Sequence, residues 1–289
     1  MSTCFLNGDF LPLVDAKVSV LDRGFIFGDA IYEVIPVFAG KLFALTEHLD
    51  RLERNLREVL IPNPMSSEAW RICLTRLVGL NAEQDAAGSV YLQVTRGVAP
   101  RDHAFPDGVT PTVFAMFKRL ESQGAYGSVS AVTLEDNRWR RCDIKTTSLL
   151  PNVLLRNQAI AAGSYEGILV RDGYVTEGAA TNVFLVECGA VITPALSADL
   201  LPGVTRNLVV SALRAAGIEV VEEPVSVERL AQADEIWLTS STREVVTVSS
   251  LNGASVGRHP VYPLAARARG LLSQLRDGDS GAQADASAQ

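Results

Sequence analysis

Apolar positions along the chain follow two rhythms, and the changes between them outline the elements. CFLNGDFLPL consists of two short alternating runs broken at Asn7-Gly8, and IYEVIPVFAGKLFAL repeats that design around Ala39-Gly40. A two-residue break ending in glycine between alternating runs predicts a tight β-hairpin. The period then lengthens. In TEHLDRLERNLREVL, Leu49, Leu52, Leu56 and Leu60 recur at helical spacing behind Thr46 as a candidate cap, and SSEAWRICLTRLVGL repeats the pattern behind Ser66 or Ser67. SVYLQVTRG and TVFAMFK return to strand character. The loop between them, VAPRDHAFPDGVTP, is too polar and proline-rich for either element.

The second half opens with a strand, VSAVTLED, followed by NRWRRCDIKTTSLLPN and a helix, NVLLRNQAIAAG. Two more hairpins are predicted at Asp172-Gly173 and Cys188-Gly189. GVTRNLVVSALRAAG reads as an amphipathic helix with Gly217 just past its end, SVERLAQA as another, and DEIWLTSST as a strand entering a hydroxyl-rich turn. A terminal helix, PVYPLAARARGLLSQLR, precedes DGDSGAQADASAQ, whose composition is that of a disordered tail. The pattern predicts an α+β protein with a smaller N-terminal domain over 1–119 and a larger one over 123–276. Between them lies a connector at 120–122, opening the polar stretch 120–128, and the tail is 277–289.

Composition narrows the classes. A chain of 289 residues, 47% hydrophobic and 20% charged, can bury a core without disulfide or metal staples. The net charge of −7 argues against nucleic acid as a partner, because that needs a broad basic face. No run approaches the roughly 18 apolar residues of a membrane span, and MSTCFLNGDF lacks the regions of a signal peptide, so a soluble, cytoplasmic protein is expected. Cys4, Cys73, Cys142 and Cys188 form no CxxC pair, and His48, His103 and His259 are isolated in sequence, so no metal is expected. Lysine is scarce: 22 of the 26 basic residues are Arg, and Lys17, Lys41, Lys118 and Lys145 are the only primary amines on side chains.

Four segments carry candidate chemistry. Lys145 follows Arg140 and Arg141 and is flanked by Ile144 and Leu149; cations and burial both lower a lysine pKa and make it nucleophilic. On spacing alone a surface lysine at a strand end is the simpler reading, but the alternation Asp143-Ile144-Lys145 would put Asp143 and Lys145 on one strand face. In LLPGVTRNLVV, a glycine before a helix start leaves the amides of Val204 and Thr205 for an anion, or is a plain cap. Thr239, Ser240, Ser241 and Thr242 can add hydroxyls to the same anion, or merely form a turn. Glu177, before Gly178 and small residues, is either an exposed turn residue or a buried carboxylate in need of a cation. Arg101 and His103, two apart in PRDHAFP, can converge on a substrate carboxylate or lie in a solvated turn.

These segments, together with DRGFIFGDAIYEV, EHLDRL, RWRRCDIKTTSLLPNVL, VTEGAATNVF, LLPGVTR and LTSST, resemble the fold type IV pyridoxal phosphate enzymes, the class IV aminotransferases, over about residues 3–275. Within them the Arg-x-His loop is most similar to the bacterial D-amino acid aminotransferases. The resemblance implies two domains with pyridoxal 5′-phosphate in the cleft between them, and transamination between a D-amino acid such as D-alanine and a 2-oxo acid such as 2-oxoglutarate or pyruvate. It implies that Lys145 forms the Schiff base with the cofactor and shuttles the proton, and that Glu177 partners the pyridinium nitrogen. Arg51, Val204, Thr205, Ser240 and Ser241 would hold the phosphate, and Leu201 would pack on the ring. Tyr32, Arg101 and His103 would bind the substrate carboxylate, the last two reaching in from the other subunit of a homodimer. Ala179 and Ala180 depart from the family's hydroxyl residues there, which moves that contact to Thr181 or removes it. An (R)-amine transaminase, a branched-chain aminotransferase and an aminodeoxychorismate lyase are the alternatives within the superfamily, and a cofactor-free binding protein on this scaffold is the alternative outside it.

Overall fold

The computed structural model describes residues 2–83, 86–120, 127–257 and 262–286. The chain divides into two compact units, one of Met1–Gln123, Ile144–Ser148 and Asp279–Gln289, the other of Gly124–Asp143 and Leu149–Gly278. The expected second domain is therefore interrupted, because the segment carrying Lys145 returns to the first unit. The cause is pairing and burial. Ile31 bridges Thr146, the Thr147 N–H donates to the Ala30 carbonyl, and Ile144 is buried in the first unit's apolar core. Past Leu120, the expected connector lies outside the described residues.

In the first unit, β1 (Thr3–Leu6), β2 (Asp9–Pro12), β3 (Ala30–Phe38), β4 (Lys41–Leu42), β5 (Gly88–Thr95) and β6 (Thr112–Arg119) form one sheet in the order β2-β1-β6-β5-β3-β4. Every pairing is antiparallel. The predicted hairpins turn where Asn7 and Gly8, then Ala39 and Gly40, take positive φ, the geometry that matches strand twist. Helix α1 (Arg23–Phe27) precedes β3, while α2 (Leu45–Glu58) and α3 (Ser67–Asn81) separate β4 from β5. Leu49, Leu52 and Leu56 of α2 and Trp70, Leu74 and Leu77 of α3 bury against Ile31, Ile35 and Leu92 of the sheet. Each such side chain contributes roughly 1.5–3 kcal/mol of transfer free energy.

Two details of α2 differ from the pattern. Thr46 lies inside the helix, where it accepts a hydrogen bond from Arg71, and the N-cap is Ala44. Leu60 falls beyond the helix end with φ of 55° and is exposed, although its spacing fits. Ser66 caps α3 as expected, accepting from the Ala69 N–H at 3.2 Å.

The second unit holds β7 (Val129–Glu135), β8 (Glu166–Arg171), β9 (Tyr174–Gly178), β10 (Asn182–Glu187), β11 (Ala190–Thr193), β12 (Val220–Glu222), β13 (Glu235–Ser240), β14 (Glu244–Leu251) and β15 (Ala254–Ser255). Their sheet runs β12-β11-β10-β13-β14-β7-β8-β9, with β15 beside β14. Parallel neighbours need a crossover. Helix α4 (Leu150–Ala161) supplies it between β7 and β8, and α5 (Val204–Ala215) between β11 and β12. Helix α6 (Val227–Gln232) is capped by Ser226. Leu213 of α5 and Leu272 of α7 (Pro263–Ala286) share a cluster with Phe184 and Trp237, whose rings stack at 5.7 Å. Helix α7 continues through most of the expected tail. No helix among the described residues is long and apolar enough to cross a membrane.

Candidate active site

Alternation along β3 separates two groups of the first unit. Tyr32 faces Lys145, whose Nζ lies 4.1 Å from the ring centroid. The Tyr32 N–H donates to the Lys145 carbonyl at 3.0 Å. Tyr91 stacks on Tyr32 at 5.7 Å, and burial, helped by Tyr32, pushes its phenol up to about 12, so it stays neutral. The expected common face of Asp143 and Lys145 is absent. Residues 142–144 form a turn and a bend rather than a strand, and Arg141 holds Asp143 at 3.0 Å.

Glu33, one residue on, points into the interior. Arg51 forks onto it, Nε donating to Oε1 at 2.8 Å and Nη2 to Oε2 at 2.7 Å, and His48 Nδ1 meets Oε2 at 2.8 Å. His48 and Arg51 reach the same carboxylate because three residues along a helix return to the same face. Burial raises the Glu33 pKa, but the charge and fork of Arg51 and the bond from His48 outweigh it and hold the carboxyl well below its usual range. Burial lowers the His48 pKa, so its ring is neutral and donates through Nδ1. Sequence reasoning proposed Arg51 and missed Glu33 and His48; the clue was a carboxylate in an apolar strand, IYEVIPVF.

Arg101 and His103 stand exposed on one loop over one ring. The Arg101 guanidinium carbon is 5.3 Å from the Phe27 centroid and the His103 ring is 5.5 Å from it.

In the second unit, Glu177 on β9 is buried and its cation is Arg138, with Nη1 donating to Oε1 at 2.5 Å. Oε2 accepts from the Leu201 N–H at 3.0 Å and from Asn182 Nδ2 at 3.3 Å. Arg138 also forks onto Asp136, at 2.9 Å through both Nε and Nη2. Burial, opposed by Arg138, pushes Glu177 up to about 7. Arg138, Asp136 and Asn182 carried no role in the sequence reading. An Arg two residues from an Asp and a polar residue opening the apolar strand NVFLV were the available signals.

Asn182 also donates to the Leu201 carbonyl at 2.8 Å. A Cβ at Gly203 would lie 2.1 Å from Asn182 Oδ1, so a side chain there would have to displace the Asn182 amide. Gly203 is the N-cap of α5, and no side chain caps that helix start, where Val204 and Thr205 are buried. Orphan amides at a helix start are an anion site in waiting. Ser240 ends β13 and Ser241 begins the turn to β14, both half-buried. Thr181 packs on Gly178, where a Cβ would come 2.0 Å from its hydroxyl.

Residues 30–251 match the family described as amino-transferase class IV. This chain belongs to the class IV aminotransferases. The D-alanine aminotransferase of Bacillus licheniformis is 39% identical over 261 residues, covering 89% of this chain and 91% of that protein. That of Staphylococcus haemolyticus is 38% identical over 281 residues and 96% of each chain. Among solved structures, the branched-chain amino acid aminotransferase of Escherichia coli aligns with a TM-score of 0.85 at 25% identity, over 95% of this chain and 94% of that one. A second branched-chain amino acid aminotransferase, from T.th. and solved with pyridoxamine 5′-phosphate, shares the fold at a TM-score of 0.86, 23% identity and coverage of 95% and 94%.

Class IV aminotransferases depend on pyridoxal 5′-phosphate, which is thus the cofactor of this one. The residues present fit it chemically. They include a primary amine at Lys145, an uncapped helix start at α5, and a buried carboxylate at Glu177 that receives one prong from an arginine shared with Asp136.

Proposed function

We propose that this aminotransferase exchanges an amino group between a D-amino acid, such as D-alanine, and a 2-oxo acid, such as 2-oxoglutarate or pyruvate. The observation that carries the reading is the joint presentation of Arg101 and His103 over Phe27, a guanidinium and an imidazole suited to a substrate carboxylate. Relatives named D-alanine aminotransferase, at 38–39% identity, support it.

Bound pyridoxal phosphate supplies an electron sink that makes the substrate α-proton removable. Lys145 would hold the cofactor through its amine and, once the substrate amine takes its place, its free amine would accept the proton from the substrate α-carbon and give it back on the cofactor side. Glu177 would pair with the ring nitrogen and keep it protonated. The amides of Val204 and Thr205, with Arg51, Ser240 and Ser241, would take the phosphate, and Leu201 would pack on the ring. Tyr32, beside Lys145, shapes the substrate side with Arg101 and His103.

A second copy of the chain completes the enzyme in this reading, supported by exposed Leu150, Val153, Leu154 and Ile160 on α4. Free cysteines throughout suit the reducing cytoplasm. Purified enzyme given D-alanine and 2-oxoglutarate is expected to release pyruvate; no pyruvate, or pyruvate from L-alanine alone, overturns the reading. Lys145→Ala is expected to abolish covalent retention of the cofactor after borohydride, and persistent label moves that role to another residue.

A further inference from the structure

The Arg101–His103 loop has no regular structure and is exposed, yet its backbone is gripped from beneath. Arg23, the first residue of α1, is buried and donates through Nη1 to the carbonyls of Asp102 at 2.6 Å and Ala104 at 3.3 Å, on either side of His103. Its Nε donates to Asp29 at 2.8 Å. Arg96, past the end of β5 and also buried, donates to the same carboxylate at 2.7 and 3.0 Å. The remaining Arg96 donors bind the Val59 and Leu60 carbonyls at 2.7 and 2.9 Å. Its guanidinium carbon lies 3.7 Å from the centroid of Phe105, two residues beyond His103.

One carboxylate thus serves two buried guanidinium groups. Burial raises the Asp29 pKa, but the hydrogen bonds and charges of Arg96 and Arg23 outweigh it and keep the group ionised. Without that charge the two cations would repel and turn toward water, and Arg23 is the join between Asp29 and the loop.

We propose that Arg23, Asp29 and Arg96 form a clamp that sets the position of Arg101 and His103, making Asp29 a positioning residue for the substrate carboxylate. The inference rests on the reading of Arg101 and His103 as the carboxylate site. Asp29 touches no reacting atom; it acts through Arg23 on the two peptide groups that flank the imidazole.

The test uses the holoenzyme, with D-alanine as substrate and propionate as a competing carboxylate. Asp29→Asn is expected to raise the KM for D-alanine and the Ki for propionate together, by roughly 10- to 100-fold, as displacement of a positioning group does, with kcat within about threefold. A fall in kcat and Tm with unchanged KM and Ki marks a merely structural role and overturns the clamp. Should Asp29→Asn not fold, Arg23→Lys keeps the charge but cannot span Asp29 and both carbonyls. It is expected to give the same paired rise, and wild-type KM and Ki in that variant overturn the proposal. Arg101→Ala is measured alongside. If it leaves KM and Ki unchanged, the carboxylate reading itself fails and the clamp's role falls with it; if it raises both while the clamp variants raise neither, only the clamp fails.

Discussion

Glu33 and Glu177 are both buried and both face an arginine, yet their affinities for a proton diverge. Arg51 meets Glu33 with a two-pronged fork, and His48 adds a third bond. Arg138 gives Glu177 a single prong, because its other donors are committed to Asp136 and the Asp199 carbonyl. The nearby charge of Asp136 also pushes the Glu177 pKa upward. Glu33 is therefore held ionised far below neutrality, while Glu177 rises to about 7. Burial acts in the same direction at both sites. What differs is how many charge-assisted contacts oppose it and whether the cation is shared. A carboxylate left short of positive charge can still gain from a protonated ring nitrogen; a saturated one cannot.

Removing each cation gives the largest effect. Arg138→Met leaves Glu177 with only amide donors, while Asp136 keeps Arg171 at 3.1 Å. Breaking a buried pair in this way costs about 3–5 kcal/mol. The loss should be greater at pH 8 than at pH 6, since an uncompensated Glu177 takes up a proton and escapes part of the penalty. Arg51→Met leaves Glu33 with His48, which can become protonated and restore a charge pair, so its cost should be the smaller at pH 6. Urea midpoints at both pH values check the contrast. Equal losses in the two variants would mean that the shared arginine is not what separates the sites.

The titration of Glu177 gives a sharper, smaller effect. A carboxyl whose pKa rises from an ordinary value near 4.5 to about 7 on folding binds its proton more tightly in the native state. Its contribution is fully present below pH 4.5 and is lost as pH climbs to 7. At about 1.4 kcal/mol per pKa unit, cofactor-stripped wild type should lose about 3 kcal/mol across that window relative to Glu177→Gln, in which this titration is gone. Parallel stability curves for the two proteins from pH 4 to 8 would refute the raised value.

The contrast between these carboxylates was only partly legible in the sequence. Short-range features were clear: the hairpin at Asn7-Gly8 and the Ser66 cap depend on local backbone preferences. The candidate residues Lys145, Glu177 and Arg101 stood out as charged or scarce types in distinctive settings, whereas Arg51 came only with the resemblance to the class IV aminotransferases. Their partners did not. Arg138 reaches Glu177 across 39 positions and Arg23 grips Asp102 across 79, and no periodicity encodes such pairings. Lys145 illustrates the other limit. Alternation suggested a strand face shared with Asp143, but tertiary pairing of Tyr32 and Ala30 with residues 145–147 decides the local backbone. Thr46 likewise satisfies the pattern for a cap and is drawn instead to Arg71.

Asn182 tests the finer side of the comparison, since it supplies Glu177 with a neutral donor rather than a charge. Its Nδ2 serves both Glu177 Oε2, at 3.3 Å, and the Leu201 carbonyl, at 2.8 Å, and so ties the carboxylate to the segment that leads into α5. Asn182→Ala removes both bonds but leaves Arg138 and the Leu201 N–H in place. The expected cost is about 1–2 kcal/mol, the scale for a neutral donor lost from a buried acceptor. Because the lost donor favoured the ionised form, the pKa of Glu177 should move further upward. The same deletion frees the start of α5, so the variant should bind pyridoxal phosphate more weakly, with a loss visible in fluorescence titration against free phosphate as a control. An Asn182→Ala protein with wild-type stability and cofactor affinity would show that Arg138 and the Leu201 amide suffice to hold Glu177, and that the carboxylate and the helix start are positioned independently.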